Sequence, residues 1–151
     1  MTAIDKEAIL KIMNEADAVY LATVNGTSPR LRPLVNLRRV DLYPGAGDFC
    51  RKQAFTCYFS TSIASGKIKE LRANPSVAVY YCDPKQTRGI ELSGTMEILT
   101  DPELKKSLWD DDWRVYWSGP DDPDYVVLRL KAASASGWWG TEPFLFDLNR
   151  A

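Results

Sequence analysis

Histidine is absent from this chain, and with it go several catalytic designs. A Ser-His-Asp triad, a Cys-His pair and a His-ligated zinc or haem are all excluded. Cysteine is scarce. Cys50, Cys57 and Cys82 are odd in number and widely spaced, which suits neither a disulfide framework nor a structural zinc site and points to the cytoplasm. No apolar run approaches the roughly 20 residues of a membrane span. The start, Met1-Thr2-Ala3-Ile4-Asp5-Lys6-Glu7, lacks a signal-peptide pattern. Walker-type and G-x-G-x-x-G loops are missing. Neither sign of charge dominates: the net charge of −1 leaves no broad basic surface for nucleic acid. The acids Asp110 to Asp112 and Asp121, Asp122 and Asp124 lack the alternating ligands, central glycine and closing glutamate of a calcium loop. They read as solvated loop residues, and no metal is expected. Chemistry then falls to a bound organic cofactor.

What is present describes a globular protein. With 151 residues, 45% hydrophobic and 26% charged, the chain suits one domain over residues 1–151. Ile4, Ala8, Ile9, Ile12, Met13 and Ala16 recur at helical spacing and predict a helix over Asp5 to Ala16. Ala18 to Val24 reads as a buried strand, Asn25-Gly26 as a hairpin turn, and Pro29 to Leu37 as the return strand. Pro33 cannot donate to a ladder, so an edge or bulge is expected there. Arg38 to Lys52, with Pro44-Gly45-Ala46-Gly47, reads as an irregular connection. Strands follow at Ala54 to Ser60, Ser76 to Cys82, Gly89 to Leu99 and Tyr125 to Ala132, with Gly94 marking a bend or bulge. Asp101-Pro102 opens a further helix. Phe144 to Leu148 is a last apolar piece. Six strands joined by hairpins more than by crossovers imply a mainly β, α+β architecture: an antiparallel barrel with peripheral helices.

One segment carries the functional signal. Phe59-Ser60 closes a strand, a hydroxyl-rich loop follows from Thr61, and Ser65-Gly66-Lys67 opens a short helix that ends at Asn74-Pro75. Ser65 is a good N-cap, and Asn74 suits a left-handed C-terminal position. Lys67 lies in the first turn, where the helix dipole disfavours a cation. Free backbone N–H groups, serine and threonine hydroxyls and one ammonium together describe a phosphate site. The plainer reading is a solvated lysine beside an ordinary cap.

Taken in order, these segments resemble the pyridoxamine 5′-phosphate oxidase-like family, whose fold is the FMN-binding split barrel, and within it the general stress protein branch. The resemblance rests on Tyr20 to Gly26 with Arg32-Pro33-Leu34-Val35, on Phe59-Ser60-Thr61 with Ser65-Gly66-Lys67, on Leu92-Ser93-Gly94-Thr95, and on Gly137-Trp138-Trp139-Gly140. It implies that Arg32, Pro33, Leu34 and Val35 lie along the flavin, with Arg32 near the phosphate or ribityl end. Ser60 and Thr61 would flank the cofactor, and Ser65 and Lys67 would hold its phosphate. Trp138 or Trp139 would reach in from a second protomer, because family members bind FMN at a homodimer interface. Three departures argue against oxidation of pyridoxamine phosphate itself. Gly66 replaces the arginine before the lysine, Arg88-Gly89-Ile90 replaces Arg-Gln-Val, and Phe144 to Ala151 lacks the arginine and histidine that serve that substrate.

The resemblance implies a flavin-dependent oxidoreductase acting on a small-molecule substrate or reductant; no general base is singled out. A non-catalytic flavin binder, or a barrel that holds haem or a deazaflavin, is the alternative. Trp109, Trp113 and Trp117 recur every four residues, the spacing of one helical stripe. Core packing is their first reading; a dimer contact or a wall of the ligand pocket is the second. Cys57 and Cys82, inside strands, read as core residues. Cys50, in a loop beside Arg51 and Lys52, reads as the thiol best placed for a stabilised thiolate.

Overall fold

In a computed structural model, residues 4–149 are described. Over them the chain builds one antiparallel sheet of seven strands and four α-helices, the split-barrel arrangement that the sequence implied. The strands are β1 (Val19–Asn25), β2 (Ser28–Leu34), β3 (Thr56–Ser62), β4 (Ser76–Asp83), β5 (Arg88–Leu99), β6 (Tyr125–Trp139) and β7 (Glu142–Asp147). The helices are α1 (Lys6–Glu15), α2 (Pro44–Arg51), α3 (Gly66–Ala73) and α4 (Pro102–Ser107), with a 3-10 helix at Asp111–Val115. Strand order is β2-β1-β4-β5-β6-β3, and β7 also pairs with β6. The seventh strand is the terminal apolar piece, folded back on a β6 that runs through Trp138 and Trp139.

Local chemistry explains the elements. Asp5 caps α1 by accepting from the Ala8 N–H at 2.7 Å, and Ile9, Ile12 and Met13 form its buried face. The first hairpin turns on Gly26-Thr27, because Asn25 already pairs with Ser28. Gly26 at φ 64° is the glycine that a two-residue turn of this kind demands. β2 is the sheet's edge strand, so Pro29 and Pro33 cost no interior ladder bond. At Ser93/Gly94 the β5–β6 register shifts, a bulge as expected. A side chain at Gly94 would stand 2.9 Å from the Lys131 carbonyl oxygen.

Two expectations are corrected here. The connection Arg38 to Lys52 is not wholly irregular: Pro44 opens α2 from the N-terminal position where its missing N–H costs nothing. Gly47 sits inside that helix because a Cβ there would meet Val40 Cγ1 at 2.7 Å. Asn74 is extended (φ −149°, ψ 105°) rather than left-handed. The following Pro75 pushes it there by steric clash. Its N–H still reaches the Glu70 carbonyl, and its Oδ1 accepts from the Ser76 N–H.

The core has two parts. The larger lies under α1 and α3 and includes Ile9, Met13, Leu21, Phe59, Ile68, Val79, Leu92, Val126 and Leu128. The smaller gathers Leu37, Ala46, Cys50, Tyr58, Leu108, Trp113, Tyr125 and Val127 on the opposite face of β3 and β6. Along β3 the side chains alternate between these parts: Cys57 and Phe59 enter the first, Tyr58 the second. The hydroxyl-bearing end of β3 therefore emerges at the seam between them.

Candidate functional site

The strand–helix junction at that seam forms the site. Ser60 belongs to β3 as expected, and the strand runs on through Thr61 and Ser62, which were expected in a following loop. Ser65 occupies the N-cap position of α3 but makes no capping hydrogen bond with its side chain. Its hydroxyl instead accepts from the Lys67 ammonium at 2.9 Å, and the Thr61 Oγ1 accepts from the same ammonium at 2.9 Å. The half-buried Lys67 is lowered from its ordinary pKa, chiefly by loss of solvent and then by Arg32, with Glu70 opposing the shift. A cation turned toward two hydroxyls and a second cation, at a helix N-terminus, is a site shaped for an anion.

Arg32 stands beside this group, tied in place by acceptors of its own. Its Nη2 donates to Glu70 Oε1 at 2.6 Å and its Nη1 to the Leu21 carbonyl at 3.2 Å. Glu70 also accepts from the Thr23 hydroxyl at 2.6 Å, and Arg30 lies 4.0 Å from its other oxygen. The Thr23 bond, then Arg32, holds the Glu70 carboxyl below its usual range. Thr23 and Glu70 are the residues that sequence reasoning missed; Glu70 follows Lys67 at i,i+3 on the same short helix, which was the available signal.

Two cavities open here. The first, about 340 Å³, is lined by Ser60, Thr61, Ser62, Ser65, Lys67, Tyr116 and Trp117. The second, about 150 Å³, is lined by Val35, Ser60, Trp113, Tyr116 and Trp117. Ser60, Tyr116 and Trp117 are walls of both. From the pleat, Ser60 and Ser62 face the aromatic side: Ser60 Oγ and Tyr125 Oη are 3.1 Å apart, and the Trp117 Nε1–H donates to Ser62 Oγ at 3.1 Å. Burial pushes the Tyr125 hydroxyl up to about 12, so it stays a neutral partner for Ser60.

The structure thus brings Val35, Ser60, Thr61, Ser65 and Lys67 together around two cavities that share walls, with Arg32 alongside. It separates the remaining expected residues. Pro33 is exposed at the β2 edge, and Leu34 packs on the main core. Trp138 is 55% exposed near the end of β6, far along the strand from the Ser60–Val127 pair. Trp139 packs against Phe144 beneath the Arg88 guanidinium. The tryptophan series is not one helical stripe: α4 stops at Ser107, and Trp113 lies in the 3-10 helix. Trp109, Trp113 and Trp117 still cluster around Tyr125 through edge-to-face and tilted contacts at 4.9–6.3 Å. The core-packing reading holds, since Trp113 and Trp117 fill the smaller core; both also line the 150 Å³ cavity.

The cysteines offer nothing to this site. Cys50 is buried in α2, and its thiol is pushed up to about 12 by that burial, against the stabilised thiolate expected from Arg51 and Lys52. The Arg51 guanidinium is turned away to the Arg38 carbonyl. Cys57 is buried and likewise raised, while Cys82 is half-buried. The aspartates work as caps: Asp110 accepts from the Asp112 N–H, and Asp122 from the Ser118 and Asp124 N–H groups. Among the described residues no group of acids or cysteines is placed to hold a metal ion, and no helix is long and apolar enough to cross a membrane.

Comparison with known proteins gives a consistent picture. Residues 5–139 match the family model described as pyridoxamine 5′-phosphate oxidase. General stress protein 26 of Bacillus subtilis is 25% identical over 129 residues, covering 83% of this chain and 82% of that protein. A crystal structure of a Clostridium acetobutylicum protein related to general stress protein 26 superposes with a TM-score of 0.74 at 23% identity, covering 97% of this chain and 98% of that one. The same fold occurs in a pyridoxamine 5′-phosphate oxidase-related, FMN-binding protein of Nostoc punctiforme (TM-score 0.62, 16% identity, 89% and 83% covered). It also occurs in a haem-binding protein of Mycobacterium smegmatis (TM-score 0.66, 14% identity, 97% and 60% covered).

Proposed function

The chain belongs to the pyridoxamine 5′-phosphate oxidase family, and from that premise we propose that it binds FMN and acts as a flavin-dependent oxidoreductase on small molecules. The observation that carries the reading is Lys67. Its ammonium is half-buried, lowered in pKa by burial and by Arg32, and held by the hydroxyls of Thr61 and Ser65 at the first turn of α3. A phosphate there would gain charge-assisted hydrogen bonds and offset the repulsion between the two cations. Among the group's candidate ligands this donor set suits a phosphate monoester. A haem would find no histidine, because the chain has none.

In this reading Lys67, Ser65 and Thr61 hold the phosphate, and Arg32, kept rigid by Glu70 and the Leu21 carbonyl, adds its field without swinging away. Val35 and Ser60 border the space beyond, where the ring system would lie. When bound, FMN supplies hydride or electron transfer; the chain supplies position, charge and exclusion of water. Pyridoxamine phosphate is not the proposed substrate, since Gly66, Gly89 and the terminal segment depart from the residues that serve it. A cytoplasmic setting, in keeping with three free cysteines, completes the reading.

The proposal includes a second copy of the chain. Cross-strand register puts Tyr20, Tyr80, Glu91, Ser136 and Leu145 in one row, with Leu31 and Trp138 on the same face. Tyr20, Tyr80, Leu31, Trp138 and Leu145 are all exposed there. A partner on this face would cover them, and Trp138 or Trp139 of one protomer would approach the site of the other.

The test is a visible absorbance spectrum of freshly purified protein, followed by titration with FMN and then with NADH or NADPH. Flavin bands and saturable FMN binding are expected, with bleaching by the reduced nucleotide separating an oxidoreductase from a passive flavin carrier. Failure to bind FMN at any attainable concentration would remove the proposal.

A further inference from the structure

Tyr116 and Val115 are anomalous for a solvated turn. They are 73% and 80% exposed, neighbours in sequence, and apolar, yet the turn that carries them is well built. Asp110 caps it by accepting from the Asp112 N–H at 2.9 Å, and the Tyr116 and Trp117 N–H groups both donate to the Trp113 carbonyl, at 2.8 and 3.0 Å. The next residue, Trp117, is fixed on several sides. Its Nε1–H donates to Ser62 Oγ, its ring meets Tyr125 at 4.9 Å, and Trp113 stands edge-on to it at 6.2 Å. Tyr116 touches this immobile indole at 5.7 Å and is otherwise open to solvent. Both rings wall the cavity that holds Lys67 and the smaller cavity that holds Val35. A rigid aromatic pair stands between an anion cradle and an apolar slot.

We propose that Tyr116 and Trp117, packed on each other at 5.7 Å, form one aromatic clamp face, supplied by the same chain as Lys67, against which the planar ring of a phosphate-bearing ligand rests. The proposal rests on the flavin reading of the site and divides its recognition in two. Lys67, Thr61 and Ser65 read the phosphate; Tyr116 and Trp117 read the ring. The indole is positioned in advance by Ser62 and Tyr125, so little ordering remains for binding to impose. The exposed phenol gains the ring contact that solvent does not give it. The clamp therefore belongs to this protomer, whether or not a partner's tryptophan covers the other side of the ring.

The experiment titrates FMN and riboflavin into wild type and into the Tyr116→Ala and Trp117→Phe variants, following flavin emission. Electron-rich indole and phenol rings in contact with an excited flavin quench it by electron donation, so emission reports contact independently of turnover. The exposure of Tyr116 makes its alanine variant safe for folding. Wild type is expected to bind both ligands with strong quenching. Tyr116→Ala is expected to weaken both by one common factor, roughly twofold to tenfold, the worth of one aromatic contact. Part of the emission should return. Trp117→Phe keeps a ring in place but removes the indole donor, so emission should rise more than affinity falls. If wild type binds FMN while Tyr116→Ala leaves both affinities and the bound-state emission unchanged, the clamp is wrong and the flavin reading survives. Weakening of FMN alone would place Tyr116 on the phosphate and also overturn the clamp. Binding of neither ligand by wild type would overturn the clamp together with the proposed function.

Discussion

In the proposed site the worth of Lys67 changes sign when an anion binds. Without an anion it opposes the α3 dipole, loses solvent and feels Arg32. With a phosphate in place, each of those terms is offset. Replacing it by alanine should therefore weaken FMN binding by a charge-assisted contact of roughly 1.5–3 kcal/mol, about tenfold to a hundredfold. Riboflavin should bind variant and wild type nearly equally, and the thermal midpoint of the ligand-free variant should stay level or rise slightly. A fluorescence titration of both ligands with both proteins checks this; equal FMN affinity would leave Lys67 an ordinary half-buried residue. Cys50 makes a second residue-scale prediction. Its thiol titrates near 9 when exposed and is pushed to about 12 in the fold by burial. The folded state keeps a proton that the unfolded state loses, so the stability from this group is complete below about pH 9 and falls as pH rises toward about 12. Each such proton contributes a slope of about 1.4 kcal/mol per pH unit. Cys57, Tyr81 and Tyr125 are raised by burial too and should add to the alkaline decline. Urea midpoints across an alkaline series should fall less steeply for Cys50→Ala than for wild type, by about one proton's slope.

At the scale of elements, α2 holds the sharpest test of packing. Gly47 rests directly on Val40: an added Cβ would lie 2.7 Å from Val40 Cγ1 and 2.9 Å from its Cα, and a backbone atom cannot rotate aside. Gly47→Ala should therefore destabilise the protein by about 1–3 kcal/mol despite alanine's better helix propensity. Two residues earlier in the same helix, Gly45→Ala meets nothing within 4 Å and should be neutral or mildly stabilising, so paired urea melts separate strain from propensity. The same helix marks where the sequence stopped being legible. Two glycines beside a proline read as loop, because the close approach that makes Gly47 necessary is tertiary and leaves no trace in local pattern. Asn74 failed differently: the left-handed preference of asparagine was weighed, but the stronger constraint from Pro75 decides its backbone. β4 and β5 were readable because Val79, Leu92 and Met96 keep the alternation that burial requires, and β6 because Tyr125 to Leu128 form an apolar run buried on both faces. Of the candidate site, the local part, Ser60 to Lys67, was legible as one continuous segment. Glu70, Thr23 and Tyr116 were not, since their roles depend on which β1 and 3-10 side chains face α3 and β3.

For the whole molecule, the outer sheet face sets the next question. Its centre is lined by small side chains in register, Ala22 opposite Ala78, Ala78 opposite Ser93 and Ser93 opposite Ser134, with the last two hydroxyls 2.9 Å apart. Around that shallow strip stand exposed Tyr20, Tyr80, Leu31 (70%), Trp138 and Leu145 (73%). A smooth centre with an aromatic and aliphatic surround suits the proposed homodimer contact, whereas on a solvated sheet charged side chains would alternate outward. Glu91 and Asp147 are the carboxylates of these two rows, and Asp147 stands at the outer end beside Ser134, so a second copy centred on the small residues would bury little charge. Sedimentation at micromolar concentration should accordingly give about twice the 17.0 kDa of one chain. Trp138→Glu and Leu145→Asp together would place like charges on both sides of a twofold contact and should shift that species toward the monomer. The circular dichroism of the double variant should keep its strand signal, because both positions are exposed in the single chain. A wild type that sediments only as one chain would refute the interface. Loss of FMN binding in a monomeric double variant would tie the site to the second protomer, whereas retained binding would leave the site to one chain alone.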